Sequence, residues 1–413
     1  MTTPYQPRLL DHTLRDLMEQ VPAVLLVGPR GCGKTTTARR HAATIVRLDR
    51  EAEAAAFRAD PDAALRGLER PVLIDEWQQV PGVLGALKRS IDVTPEPGQF
   101  LVTGSVKADL EGETWPGTAR LLRIPMFGMT VGELQGAKEP NGEKFLSRLS
   151  IGQALDAPEN PPDLREYVRL CLQGGFPQAA LRLSGVVSSR WYESYIEQVV
   201  TRDAKLVDAG RDPDRLQRYF EALAANTAGV VDLKTLHDAA GINRKTALAY
   251  EQLLKNLYLL DVLPAWTSNR LKRLNLAPKR YLIDSALAAG ALRVDESAVM
   301  RDGDLLGRLL DTLACAQLRG LLPVAETRPK LFHLRKQSGT RELDLIIELG
   351  GGGVIGLEIK ASASPGPDTC RHLAWLRGEL GDRFVAGVVL HTGPRVYELG
   401  ERIQAAPIAC LWQ

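Results

Sequence analysis

The stretch Val24-Leu-Leu-Val-Gly-Pro-Arg-Gly-Cys-Gly-Lys-Thr-Thr-Thr-Ala-Arg-Arg40 constrains this chain more tightly than any other. Ala23–Val27 is an apolar, β-branched run of the length of a buried parallel strand, and residues 36–43 read as a helix. Between them, Gly28, Pro29, Arg30, Gly31, Cys32, Gly33, Lys34 and Thr35 fit G-x-x-x-x-G-K-[ST] at every fixed position. Glycines at 28, 31 and 33 let successive backbone N–H groups turn inward around phosphates, which a Cβ would obstruct. Lys34 supplies a charge for the β and γ phosphates, Thr35 a hydroxyl for Mg2+, and Thr36 opens the helix that faces the anion. The expectation is a P-loop in a parallel α/β sheet, with ATP and Mg2+ as cofactors.

Hydrolysis requires a second element. Arg70-Pro-Val-Leu-Ile-Asp75-Glu76-Trp provides it: a short apolar strand ending in adjacent carboxylates, at the sheet edge where α/β folds bind ligands. Asp75 is expected to hold the metal and Glu76 to orient and deprotonate the attacking water. Ile45–Asp49 reads as another strand of the same sheet. Residues 97–105 form one more strand that ends in small polar residues, so Thr103 and Ser105 are candidate sensors of the γ-phosphate or the water. Arg120 is the nearest cation suited to a sensor or arginine-finger role, although a solvated surface arginine reads the same way.

The run RPVLIDEWQQVPGVLGALKRSID, then GQFLVTGS and TARLLRIPMFGMTVGEL, resembles the ATPase module of a large bacterial and archaeal family. Its members are AAA-superfamily ATP-binding proteins with a C-terminal domain of unknown function. The resemblance continues through Gln173-Gly-Gly-Phe-Pro177, Trp191–Asp203, Pro278–Asp284 and Ala406–Trp412, in order over nearly the whole chain. It implies an AAA-type core. Because such modules usually complete their site with a neighbour's arginine, it also implies a homo-oligomeric ring such as a hexamer.

From about residue 160 to 265 the apolar spacing is helical, with Asp163–Leu172 and Arg190–Val200 the clearest runs. Val231–Ala240, a turn at Gly241-Ile-Asn243, and Arg244–Leu254 follow in the order of a helix-turn-helix. Asn243, Arg244, Lys245 and Thr246 stand at the start of its second helix, the end that meets a DNA groove, and Leu257–Leu263 with a return strand forms the wing. Asn269–Arg280 then contains Arg270, Lys272, Arg273, Lys279 and Arg280 and no acid, a composition suited to phosphate contact. Lid-type winged helices and solvated charge runs are the competing explanation.

Near the C-terminus, Thr340–Leu349, a turn at residues 350–353 and Val354–Lys360 read as a β-hairpin carrying Asp344, Glu358 and Lys360. This is the D…E-x-K pattern of the PD-(D/E)XK nuclease-like fold, in which two carboxylates bind a divalent metal and the lysine positions water. Positions 358 and 360 share a strand face. Helices at 305–318 and 369–380 and a strand at 384–391 complete an α-β-β-β-α-β order. There are departures: Leu343 replaces the usual proline, and the preceding helix offers Asp311 and Gln317. A nuclease-like fold that only binds is the alternative to cleavage.

The expected division is an AAA-type ATPase at 1–135, a helical region with a winged helix at 136–300, and a nuclease-like α/β domain at 301–413. Lys plus Arg (52) nearly balances Asp plus Glu (50), so any nucleic-acid surface must be local. Five scattered cysteines without a C-x-x-C pair argue against a disulfide framework or zinc, and the absence of a signal or spanning run argues for a cytoplasmic protein. The leading expectation is an ATP-hydrolysing protein that binds or remodels DNA. A nucleotide-gated switch that binds a protein partner and an ATP-regulated metal-dependent nuclease are the alternatives.

Overall fold

Five short strands, the central three fully buried, form a wholly parallel sheet. In the computed structural model these are β1 (Ala23–Val27), β2 (Thr44–Arg47), β3 (Val72–Asp75), β4 (Phe100–Gly104) and β5 (Leu121–Pro125), in the order β2-β3-β4-β1-β5. The structure describes residues 5–105, 119–136, 141–203, 212–269, 273, 276–336 and 339–413. Every residue of β1, β3 and β4 is buried, as expected for a parallel sheet covered on both faces. One face packs Leu25, Ile74, Phe100 and Val102 against Val83, Leu84, Leu87 and Ile91 of the helix Val83–Val93. Truncating any of the leucines, isoleucines or Phe100 among them to alanine costs about 2–5 kcal/mol. The register Ala23↔Phe100 and Val72↔Phe100 brings the C-terminal ends of β1, β3 and β4 to one edge.

The chain divides into two compact units, Met1–Gly128 with Asn256–Tyr258, and Met129–Lys255 with Leu259–Gln413. The helices after Met129 and the C-terminal sheet fall in the second of these units. There, helix Leu164–Gln173 starts from a reciprocal cap between Asp163 and Glu166. Helix Leu233–Ala239, a turn with Gly241 at φ +63° and helix Arg244–Asn256 follow, and Asn243 Oδ1 accepts from Thr246 N at 2.8 Å to start the second helix. Strands β6 (Leu260–Leu263) and β7 (Lys279–Leu282) pair antiparallel immediately afterwards.

The rest of this unit is a mixed six-stranded sheet, β12-β13-β11-β10-β9-β8. Its strands are β8 (Lys330–Lys336), β9 (Arg341–Glu348), β10 (Val354–Ile359), β11 (Phe384–His391), β12 (Tyr397–Gly400) and β13 (Ile403–Pro407). With helices Gly303–Leu321 and Arg371–Leu380, the order α-β-β-β-α-β is present, extended by β12 and β13. No helix among the described residues is long and apolar enough to cross a membrane.

Candidate functional site

The loop after β1 needs its glycines for space. A Cβ on Gly28 would lie 1.9 Å from the Met126 carbonyl oxygen, and Gly31 and Gly33 have φ of +80° and +103°. The helix that follows is shorter than the sequence suggests. It runs Lys34–Ala38, continues as a tighter turn Arg39–His41, and then extends at Ala42 because Ala43 and Thr44 donate to Pro71 O ahead of β2. Lys34 is buried and its Nζ donates to Gly28 O and Pro29 O, each at 2.9 Å, so the ammonium lies inside the curve of the loop.

Opposite it, strand edges converge on one carboxylate. Thr35 Oγ1 and Thr103 Oγ1 both donate to Asp75 Oδ1, at 2.7 and 2.6 Å, uniting the loop after β1 with the ends of β3 and β4. Glu76 follows Asp75 with φ +55°, a left-handed conformation that a non-glycine residue adopts only when its surroundings enforce it. Glu76 N donates to Thr103 Oγ1 at 3.1 Å, and its carboxylate accepts from Ser105 Oγ at 3.1 Å and from Gln78 Nε2. Gln78 Nε2 also reaches Ser105 Oγ at 3.2 Å. The turn thus directs the second acid away from the first and fixes it.

A magnesium–nucleotide complex fits this donor set. Thr35 and Asp75 place hard oxygens side by side that would hold the metal, Lys34 would add charge, and the glycine-lined loop leaves room that Cβ atoms would fill. Pro29, Arg30, Cys32 and Thr36 lie along the same loop and the first turn beyond it. Arg120, by contrast, bonds through Nε to Asp92 Oδ1 at 2.9 Å, at the start of β5 and beside helix Val83–Val93. Sequence reasoning missed Gln78, Arg8 and Tyr5. Buried Arg8 donates to Cys32 O and Phe127 O, both at 2.9 Å, bracing the back of the loop, and Tyr5 OH lies 3.2 Å from Thr37 Oγ1. Nothing in the N-terminal segment's composition signals either contact.

The basic set divides. Arg244 and Lys245 are exposed at the start of helix Arg244–Asn256. Arg270 and Lys272 lie outside the described residues. Three other residues expected at a phosphate surface need correcting, because acids turn them inward. Arg273 makes a two-pronged contact with Glu348 at 2.5 and 3.2 Å, and Arg280 Nε donates to Glu251 at 2.7 Å. Lys279, 2% exposed, donates to Asp311 Oδ2 at 2.5 Å and Asp344 Oδ1 at 3.1 Å.

Lys279 therefore sits in the acid cluster of the C-terminal sheet. The β9–β10 register, Leu345↔Leu357, sets Asp344 across from Glu358, and Lys360 Nζ donates to Glu358 Oε1 at 2.6 Å, so the D…E-x-K residues do assemble. Asp344 Oδ2 accepts from Ile359 N at 2.9 Å and Asp311 Oδ1 from Tyr281 OH at 2.9 Å. Burial, reinforced by the Asp344 charge, holds the Glu358 carboxyl well above the usual carboxylate range, and its Oε2 is buried without a hydrogen bond. Burial opposes the charge on Lys279, yet Asp311 and Asp344 raise its pKa. Among the described residues, no group of three or more His, Cys, Asp or Glu is arranged to hold a metal; Asp344, expected as a metal ligand with Glu358, is instead bonded by the Lys279 ammonium.

Comparison with known proteins adds the following. Residues 164–298 match a domain of unknown function (DUF8612) and residues 306–411 another (DUF4143). Uncharacterized proteins of Mycobacterium tuberculosis and Mycobacterium bovis are each 28% identical over 401 residues, covering 95% of this chain and 82% of theirs. Among solved structures, a Walker-type ATPase of Pyrococcus abyssi is similar at 15% identity and TM-score 0.41, over 69% of this chain and 94% of that one. A mutant RuvB of Thermotoga maritima is similar at 19% identity and TM-score 0.30, over 66% and 99%. Residues 20–135 match the AAA domain model, and the glycine-rich loop and the five-stranded parallel sheet lie within that span.

Proposed function

We propose that the protein binds ATP with Mg2+ at this loop and hydrolyses it, with Asp75 and Thr35 on the metal side and Glu76 as the base that activates water. The convergence of Thr35 and Thr103 on Asp75 Oδ1, with Glu76 held apart by Ser105 and Gln78, carries this reading. One oxygen of Asp75 already faces the threonine hydroxyl that accompanies it in metal binding, while Glu76 is fixed by a separate set of donors, so the two acids have separate tasks. Lys34 and the loop amides take the phosphate charge, and Thr103 links the two acids.

The exposed pair Arg244 and Lys245, at the free end of a helix behind a tight turn, supports DNA as what the nucleotide cycle acts on. The inward pairing of Arg273, Lys279 and Arg280 narrows that surface and favours, as the second reading, a nucleotide-gated switch that binds a protein partner. Steady-state ATP hydrolysis with and without single-stranded, duplex and four-way-junction DNA separates the two, with Glu76→Gln as control. Stimulation by one DNA form, lost in the variant, supports the DNA reading. Hydrolysis indifferent to every form, together with no salt-sensitive binding, rejects it in favour of the switch. A wild-type chain that binds ATP without hydrolysing it overturns the catalytic assignment itself.

A further inference from the structure

The acid cluster of the C-terminal sheet has the residue pattern of a divalent-metal site and is closed by a residue from outside that pattern. Lys279 opens β7, in the hairpin that follows the helix-turn-helix, and points inward from it. Its Nζ bonds Asp311 Oδ2 at 2.5 Å, Asp344 Oδ1 at 3.1 Å and the Asp344 carbonyl oxygen at 3.3 Å. The other oxygens are also engaged: Asp311 Oδ1 by Tyr281 OH, Asp344 Oδ2 by Ile359 N, and Glu358 Oε1 by Lys360 Nζ. Glu358 Oε2 is the one carboxylate oxygen of these three residues that is buried without a partner.

A hard dication needs several oxygens converging on it at about 2.0–2.6 Å, most of them anionic. Here an ammonium lies at bonding distance from the two aspartates that would supply them. A dication placed between those oxygens would stand against a buried positive charge that solvent screens only weakly. Lysine is suited to the place because its charge is compact and its long stem reaches the cluster from β7.

We propose that Lys279 is the resident cation of this cluster, compensating Asp311 and Asp344 so that the site excludes divalent metal, and that removal of its ammonium turns the same carboxylates into a divalent-cation site. The C-terminal sheet then keeps a nuclease-like set of side chains as a buried electrostatic joint between β7, helix Gly303–Leu321 and the β9–β10 hairpin. Lys360, partly exposed and bonded to Glu358, stands at its outer side.

The test is Mn2+ binding to the full, nucleotide-free chain, followed by electron paramagnetic resonance of free ion and by calorimetry. Wild type, Lys279→Ala, Lys279→Ala with Asp344→Asn, and Glu358→Gln are compared, so any ion held near the P-loop is common to all and cancels. The expected result is one additional bound Mn2+ in Lys279→Ala, lost again in the double variant, with wild type and Glu358→Gln alike. A folded Lys279→Ala chain that gains no ion overturns the proposal, as does a wild-type ion that Glu358→Gln removes. Should Lys279→Ala fail to fold by circular dichroism, the wild type and Glu358→Gln decide: equal stoichiometry supports the closed site, and a loss in the variant refutes it.

Discussion

Thr35 Oγ1 donates to Asp75 Oδ1 at 2.7 Å across 40 residues of sequence, tying the glycine-rich loop after β1 to the end of β3. The same oxygen accepts from Thr103, so one carboxylate registers the ends of three strands at once. This contact makes the loop and the acidic strand end parts of a single site.

Glu76→Gln is expected to lower the ATP turnover number by roughly 100- to 10,000-fold while leaving ATP affinity nearly unchanged. Single-turnover hydrolysis and equilibrium nucleotide binding check the two halves separately. Ser105→Ala and Gln78→Ala, which loosen the carboxylate without removing it, should lower turnover by less, and again without loss of binding.

Two glycines should respond in opposite directions. Gly28→Ala forces a Cβ to within 1.9 Å of the Met126 carbonyl oxygen, so nucleotide affinity and thermal stability should both fall. Gly307 lies inside helix Gly303–Leu321 with nothing within 4 Å of an added Cβ, so Gly307→Ala should stabilise the fold by about 0.5–1 kcal/mol. Chemical denaturation of the two variants beside wild type reads the stability changes, and equilibrium nucleotide binding reads the affinity of Gly28→Ala.

Arg273 and Glu348 form a buried, two-pronged pair, each about a tenth exposed. Arg273→Ala removes the two-pronged partner of Glu348, leaving Arg383 at 4.0 Å, and should destabilise the protein by about 1–3 kcal/mol. Arg244→Ala and Lys245→Ala remove exposed cations and should leave stability within about 0.5 kcal/mol of wild type. If that helix end meets DNA, each substitution also reduces the slope of log affinity against log salt by about 1. Fluorescence anisotropy over a salt series, with parallel urea melts, distinguishes the two kinds of arginine.

Acid should weaken the second unit through His333. The ring is buried, its Nε2 bonds Ala277 O at 3.1 Å, and desolvation, aided by the Lys279 charge, lowers its pKa from 6.5 to about 4. Between those values the unfolded chain binds a proton that the folded chain does not, so stability falls as pH drops from 6.5 towards 4. The total loss is on the order of 3 kcal/mol. His333→Gln lacks this titration. Its stability should change less with pH over that window, whatever its value at neutral pH, as urea melts at several pH values will reveal.

Several features of both units were legible because their signals are local. The glycine spacing of residues 28–33, the strand Val72–Asp75 with its terminal acids, and the turn before Arg244 are each set by what neighbouring residues allow the backbone to do. Strand period likewise fixed that Glu358 and Lys360 share a face, and their 2.6 Å contact follows from it. Sequence alone could not reveal the left-handed turn at Glu76, the clamp by Ser105 and Gln78, or the brace from Arg8, because each depends on groups that meet only when separate strands are laid side by side. The Asn269–Arg280 run marks the boundary most clearly: read along the chain it is a row of cations without an acid. Folding pairs Arg273 with Glu348, Arg280 with Glu251 and Lys279 with Asp311 and Asp344. A charge's partners are chosen by burial, since an ammonium or guanidinium leaves water only where distant acids compensate it, and those distances exist only in the tertiary structure.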